Sequence, residues 1–544
     1  MKRSVTVLMA ALLLVSAVLA ACGGRPGGSA GGKVRSEEGP FGKYEREIAV
    51  TRVGETSPSI VYIEGESVDN NFITEFYKEK LNIQYRNKWI VDTSEAEEKM
   101  NLAIASNDLP DVFTVNIEQL TRLIRADQIE DLTEVYNQYA SDNLRAVLEF
   151  QDRLAFIPST QNGKIYGLPR TNDFANNIAI MYIREDWLQR LNLQAPRTLS
   201  ELMEVAKAFV ERDPDGNGQK DTYAIAVDQT LVGSSNMTLD AIGAAKGAYP
   251  KIWIEGPDGG LVYGSIQPEM KEALRVMKEL YAMGAFDPEF AVKNYSKVKE
   301  TVDAGKIGIS FGPFWLPLHL EDILDNDPNA VWKAYPIMVN DQGQLKPKAL
   351  PFAYFWYVVR KGFEYPEALV KSLNLWYEIY QGMYSDWFNE MYVTKYSHIS
   401  NVHNYALPQF YDPPQKNLNQ GVKLREAKAA NDAGVLTHPE SKRIWEIMES
   451  GSKLGKAYEV IFYESERILL ENYKEYQYDK FYAPPTKTMI ERKVTLDALE
   501  DETFPKIIMG TLPLDAFDDF VSEWLRLGGE TIQKEVNEWY DSVR

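Results

Sequence analysis

The chain holds one cysteine, Cys22, among its 544 residues. No intrachain disulfide can form, and no second thiol is left for metal or nucleophile chemistry. Histidine is nearly as scarce: His319, His398, His403 and His438 are the whole complement. His398 and His403 are spaced wrongly to share a helical face as a zinc pair would. Basic residues number 59 against 79 acidic ones, a formal net charge of −20. That balance argues against nucleic acid or anionic head groups as partners, because phosphate binding needs a basic field. Beyond the first twenty or so residues no apolar run is long enough to span a bilayer. No segment recurs at a fixed period, as a modular adhesin would show. There is no H-E-x-x-H, Walker or G-x-G-x-x-G sequence, no nucleophile elbow is expected, and any use of ATP belongs to a partner.

What is present begins with an export signal. Lys2 and Arg3 precede the apolar run Val5–Leu19, which is too short and too early for a transmembrane span. It ends in Leu19-Ala20-Ala21-Cys22, the pattern of a bacterial lipobox, whose cysteine thiol receives a diacylglyceryl group. Two acyl chains, at about 0.8 kcal/mol per buried methylene, anchor a protein stably. Residues 1–22 therefore read as a lipoprotein signal peptide and 23–45, rich in Gly, Ser and charge, as a flexible tether. The expected location is the outer face of the cytoplasmic membrane.

A second stretch carries metal chemistry. Asp213, Asp215, Asn217 and Asp221 occupy the alternating oxygen-bearing positions of an EF-hand calcium loop, with Gly218 at the sharp bend and Gln219 beside it. Thr198 and Glu201 form a capping box upstream, and Leu202, Val205, Ala206 and Phe209 recur at helical spacing into the loop. The last position is Ala224, not a bidentate glutamate, and Tyr223–Val227 reads as a strand. The expected product is a helix–loop–strand site for a structural calcium ion. A plain Asp/Asn/Gly turn is the alternative.

About 500 mature residues exceed one ordinary core and imply two or more lobes. Short apolar runs alternate with longer helical patterns, the signature of α/β layers. Strands are expected at Ile60–Ile63, Ile83–Tyr85, Ile178–Ile183, Lys306–Phe311 and Tyr354–Tyr357. Asn70, Asn71 and Phe72 open a helix through Leu81, and Ser94 with Glu97 opens another through Ala105. Asn107–Phe113 is a turn feeding a buried strand, and Gly163–Arg170 is a short strand ending in a proline.

The lipobox, the turn ASNDLPDVF, the segments GKIYGLPR, MYIREDWLQRLNLQAPRTLSEL, DPDGNGQKDTYAIA and AGKIGISFGPFW, and the C-terminal FPKIIMGTLPLDAFDDFVSEWLRLGGETIQKEVNEWY occur in a telling order. Together they resemble a bacterial extracellular solute-binding lipoprotein (family 1) of a saccharide ABC importer, over nearly the whole mature length. The closest likeness is to the large oligosaccharide-binding group that includes the alginate binders, where such a calcium loop sits in the second lobe. There a carboxylate just after Asp221's position helps hold the ion; here that residue is Thr222.

The resemblance implies an α/β periplasmic-binding-protein-like (type II) fold: two lobes, a hinge and an interlobe ligand cleft. Lobe one would hold 46–170 and 346–435, and lobe two 171–345 and 436–544. It implies a binding protein and no enzyme, a monomer that hands an oligosaccharide to the permease subunits of an ABC transporter. A secreted calcium-containing polysaccharide-degrading enzyme and a peptide-type solute receptor are the alternatives.

A pyranose offers apolar C–H faces and a rim of hydroxyls, so its site needs aromatic platforms beside planar polar groups. The candidates are Trp315, just after a strand end; Arg170, Asn172 and Asp173 at the first crossover; Asn70 and Asn71, which a helix N-cap explains equally; and Phe355 and Trp356, one of which should be core. Arg86 and Lys88, near Trp89, read as a solvated cluster that a uronate could meet.

Overall fold

In the computed structural model the described residues are 33–56, 62–171, 178–233, 236–349, 353–380, 386 and 415–543. Cys22 with the signal segment, and Asn172 and Asp173, lie outside them.

Strand β1 (Ile48–Thr56) turns Ile48, Val50 and Arg52 to its buried face. It pairs in parallel with β2 (Ile83–Asp92), and helix α1 (Phe72–Leu81) lies between them in sequence. The strand expected at Ile60–Ile63 is not found where it can be traced: Tyr62 and Ile63 belong to no strand, and the β-branched alternation that forms one lies earlier. Helix α2 (Ala96–Ser106) follows a single 3₁₀ turn whose cap is Asp92, not Ser94; the Asp92 carboxylate accepts from the Ser94 N–H. Then come β3 (Val112–Val115), α3 (Ile117–Arg125) and β4 (Leu168–Thr171). Pro169 sits inside β4, which its place at a sheet edge permits.

The chain leaves this core after Thr171 and resumes in a second one. There β5 (Ile180–Arg184), α4 (Glu185–Leu191), α5 (Leu199–Glu211), β6 (Tyr223–Ile225), β7 (Ile307–Gly312) and β8 (Trp332–Tyr335) build a sheet of order β8-β5-β7-β6. Strand β7 runs parallel to β6 and antiparallel to β5. The chain then returns: β9 (Ala353–Val359) slots between β3 and β4, antiparallel to both. Helix α6 (Glu367–Tyr380) completes the first lobe. Helices α7 (Lys416–Ala430) and α8 (Lys487–Ile508) belong to the second.

The β3-β9-β4 sheet is covered on both faces. Val112, Leu168, Tyr357 and Val359 meet α1 and α6 on one side, while Val115, Trp356 and Val358 meet α2 and α3 on the other. The second core is continuous through its sheet and flanking helices. Leu418, Leu424 and Ala427 of α7 are part of it, so residues 416–435 pack with lobe two and not with lobe one as expected. The expected tether is also shorter. Ser36 bridges Tyr44, Tyr44 is buried, and the amine of Lys371 on α6 donates to the Ser36 hydroxyl and the Gly42 carbonyl. A buried ammonium needs such acceptors, and they fix residues 36–44 to lobe one.

Gly308 on β7 marks the tightest packing of lobe two. A Cβ there would stand 2.4 Å from Phe209 and 2.6 Å from Trp187, two rings already packed edge to face at 5.1 Å. Gly308→Ala is expected to destabilise the protein by about 3 kcal/mol, since overpacking forces rigid groups apart. A urea midpoint equal to the parent's would refute this.

Candidate functional site: the cleft at the strand ends

The two chain crossings fix which sheet ends face each other. Thr171 at the end of β4 is paired with Ala353 at the start of β9. Because β3 is antiparallel to β9, its last residue and Asn116 also emerge at this edge. In the second lobe Ile180, just after the crossing, is paired with Gly312 at the end of β7. The carboxyl ends of β7 and its parallel neighbour β6 therefore point to the same boundary. Crevices outside strand carboxyl ends are where open α/β sheets bind ligands.

On the lobe-one side this boundary holds a cavity of ≈ 280 Å³ lined by Arg52, Glu55, Tyr62, Asn116, Arg170 and Phe355, among others. Arg170 and Phe355 are cross-strand partners on β4 and β9, and the guanidinium lies 5.4 Å from the ring centroid. Phe355 is 39% exposed, unusual for a ring on an inner strand. Burial pushes the Glu55 carboxyl up, while Arg170 and Arg52 pull it back. Arg52 is 2% exposed and donates through Nη2 to the Val68 carbonyl; burial brings its guanidinium down to about 9. An apolar ring beside planar, charged donors and acceptors is the chemistry a sugar ring requires.

On the lobe-two side, β7 ends in Gly312-Pro313-Phe314-Trp315. The Tyr182 hydroxyl donates to the Pro313 carbonyl and fixes this turn. Trp315 is half-buried against the second core, with its ring 5.3 Å from His319. Burial and the nearby Lys299 push the His319 imidazole down, with Asp322 opposing. After β6, the Asp228 carboxylate accepts the Thr230 N–H, and burial pushes it up.

The model of one protein family matches residues 62–373, more than half of the chain: bacterial extracellular solute-binding protein. The chain belongs to that family. Lipoprotein LipO of Bacillus subtilis (strain 168) is 24% identical to this solute-binding protein over 459 residues, 84% of this chain and 86% of LipO. The polygalacturonan/rhamnogalacturonan-binding protein YtcQ of the same organism is 26% identical over 542 residues, 99% of this chain and 98% of YtcQ. Among solved structures, an HMO-binding, ABC-transporter-associated solute-binding protein from Bifidobacterium longum infantis ATCC 15697 superposes with a TM-score of 0.65 at 17% identity. That match covers 91% of this chain and 99% of the other, and it shows the two-lobed fold. The family is one of binding proteins, not enzymes.

The expected site residues divide. Arg170 and Phe355 come together in the solute-binding protein's lobe-one cavity, and Trp315 stands at the matching strand end of lobe two. Trp356 does not join them: it is 3% exposed on the opposite face of β9, its indole N–H donating to the Ala155 carbonyl. Asn71 is spent as the α1 cap, its Oδ1 accepting from the N–H groups of Ile73 and Thr74. Asn70 is exposed in the preceding turn and does not line the cavity. Arg86 bonds Gln84, and Lys88 bonds Asp108 and the Leu109 carbonyl, as a surface cluster would. Sequence reasoning missed Arg52, Glu55, Tyr62 and Asp228. The available signal was Arg52, a charge in the buried phase of an otherwise apolar strand. It also missed that Gly308–Gly312 has G-x-S-x-G spacing. Ser310 is nonetheless buried within β7, so no nucleophile elbow forms.

The 213–221 loop closes on itself. Asp213 accepts from the N–H groups of Asn217 and Gly218, and the Asn217 amide donates to Asp215 and Asp221. The Gln219 N–H donates to the Asn217 oxygen. Burial and the neighbouring Asp213 push the Asp215 carboxyl up. Asp221 is tied to Lys306 at 2.9 Å. Among the described residues no three His, Cys, Asp or Glu side chains are grouped as a metal site. The Thr222 hydroxyl is buried and donates to the Phe209 carbonyl at the end of α5, so its proton serves the helix terminus and not the loop.

Proposed function

We propose that this solute-binding protein is the receptor of an ABC importer and captures an oligosaccharide between its lobes. Phe355, Arg170 and Glu55 would form one jaw and Trp315 the other. The observation that carries the reading is the exposed Phe355 ring stacked with Arg170 at the carboxyl edge of the lobe-one sheet. Binding shifts the lobes only as far as the sugar prefers one arrangement over another. The names of YtcQ and of the Bifidobacterium protein agree with this class of ligand. Lipid attachment at Cys22 agrees with the name of LipO and with the absence, among the described residues, of a helix able to cross a membrane. The test is thermal unfolding of the chain lacking residues 1–22 with neutral and uronate oligosaccharides. A ligand at a hundred times its Kd adds about 2.7 kcal/mol. No shift with any saccharide, together with product release from a polymer, would overturn the receptor reading.

The 213–221 loop is proposed to hold a structural calcium ion through Asp213, Asp215, Asn217, Gln219 and Asp221. Three carboxylates and an amide oxygen gathered on one short loop, with like charges at Asp213 and Asp215, suit a hard dication. Thr222 contributes no carboxylate, and its hydroxyl already serves Phe209. Millimolar calcium is expected to raise the unfolding midpoint, a chelator to reverse the rise, and Asp213→Asn to abolish it. Identical midpoints in calcium and chelator would show that the loop is a plain turn.

A further inference from the structure

Lobe two holds a cavity of its own, away from the boundary between the lobes. Its volume is ≈ 590 Å³, within the range of small-molecule sites. Trp332, on its wall, opens the edge strand β8 and is paired with Arg184 at the far end of β5. Ile180, where β5 meets the boundary, lies about 13 Å back along that strand. Another wall is the helix Lys453–Glu459 with the π-helical turn Val460–Ser465 that continues it. Such turns are rare and recur at functional sites.

The lining combines aliphatic surface with polar groups that lack partners. Leu320, Ile323, Leu324 and Val460 supply the first. Trp332 is 8% exposed, and its indole N–H finds no acceptor among the described residues. The buried Oε2 of Glu321 likewise finds no donor there. Burial pushes that carboxyl up, with Asp322 adding to the shift and Lys453 and Lys299 opposing it. Lys428 and Lys456 also line the cavity and form no ion pair among the described residues; the Lys428 amine stands 3.8 Å from the Tyr463 ring centroid. Other charges on the lining are spent. Lys453 pairs with Asp325 at 2.7 Å, and Glu464 accepts the Ala334 N–H.

These groups select a chemistry. A simple anion would suit the lysines and the indole but bring a like charge to Glu321. A sugar would set hydroxyls against aliphatic side chains, at a cost. A zwitterion with apolar side chains meets every group. Its ammonium donates to the Glu321 Oε2, its carboxylate and carbonyl oxygens accept from lysine and indole, and its side chains cover the aliphatic surface.

We propose that this cavity binds a short apolar peptide with both ends free, on the scale of a dipeptide, at a site separate from the saccharide cleft. The site stands on lobe two alone and does not rest on the saccharide reading.

The test is calorimetric titration of the chain lacking residues 1–22 with leucyl-leucine. One equivalent is expected to bind. N-acetyl-leucyl-leucine, which lacks the ammonium, and leucyl-leucine amide, which lacks the carboxylate, should each bind about tenfold more weakly. Glu321→Gln should weaken leucyl-leucine by a similar factor and narrow its advantage over the acetylated form. Trp332→Phe, which removes only the N–H donor, should weaken it less, and Phe355→Ala should leave it at the parental affinity. Each variant is checked for a parental unfolding profile, and the ligand series tests the proposal on the parent alone. No binding of leucyl-leucine overturns the proposal, and so does equal binding of the free and blocked forms. Binding lost in Phe355→Ala but kept in Glu321→Gln would place the peptide in the cleft between the lobes, and overturns it as well.

Discussion

Phe355→Ala is expected to weaken oligosaccharide binding about thirtyfold, about 2 kcal/mol, while leaving the unfolding midpoint close to the parent's. The magnitude is that of a central aromatic anchor whose removal also unstacks its neighbour. Both halves follow from the same geometry. The ring is more than a third exposed, so its loss opens no void in either cluster of lobe one. Arg170 rests on that ring and would lose the surface that orients its guanidinium. Phe355→Trp keeps the platform and should retain most of the affinity. Trp315→Ala should weaken binding too, but at a larger loss of stability, because half of that ring packs on the second core. Parental affinity in Phe355→Ala would remove the platform role from this ring.

Glu500→Gln is expected to stabilise the protein above neutral pH, by about 3 kcal/mol, with the gain vanishing in acid. Glu500 on α8 is 1% exposed and accepts from the hydroxyls of Ser265 and Tyr263. Burial pushes its carboxyl from 4.5 up to about 7; Lys251 opposes the shift, and Asp501 and Asp497 add to it. The folded state thus holds this proton more tightly than the unfolded chain. Below 4.5 both states are protonated and the residue is neutral in the balance. Between 4.5 and about 7 the unfolded chain gives up this proton while the folded state keeps it, so stability falls across that window and levels off above it, where the folded state buries the charge. The glutamine keeps the shape and removes the charge. Unfolding midpoints of parent and variant that run parallel from pH 4 to 8 would show that Glu500 is compensated at all pH values.

Local signals in the sequence predict local structure well. The Thr198–Glu201 capping box forms as expected, with each partner bonded to the other's backbone, and α5 runs from it into the 213–221 loop. Strands β5 and β7 lie where their β-branched runs place them. What depends on distant partners was illegible. Arg52 and Glu55 look like surface charges on a strand, and only the neighbouring ends of β3 and β4 turn them into cavity walls. Residues 36–44 have the composition of a linker, yet one lysine more than 300 positions away holds them down. Helix α7 carries no mark of its lobe. Phe355 and Trp356 illustrate the middle case: alternation separates their faces, but which of the two is buried is set by the cluster of α2 and α3 that packs on Trp356.

The docking of residues 36–44 onto α6 has a mechanical consequence. A chain held to the membrane at Cys22 would be leashed by lobe one alone, through roughly 13 residues that reach about 45 Å at full stretch. Lobe two would have no leash of its own. Relative to the bilayer, lobe one would be the stator and lobe two the swinging arm, so a short leash would limit where the receptor roams without loading the hinge. Shortening residues 23–35 would then change how often the receptor meets its transporter, and leave its grip on the sugar as it was.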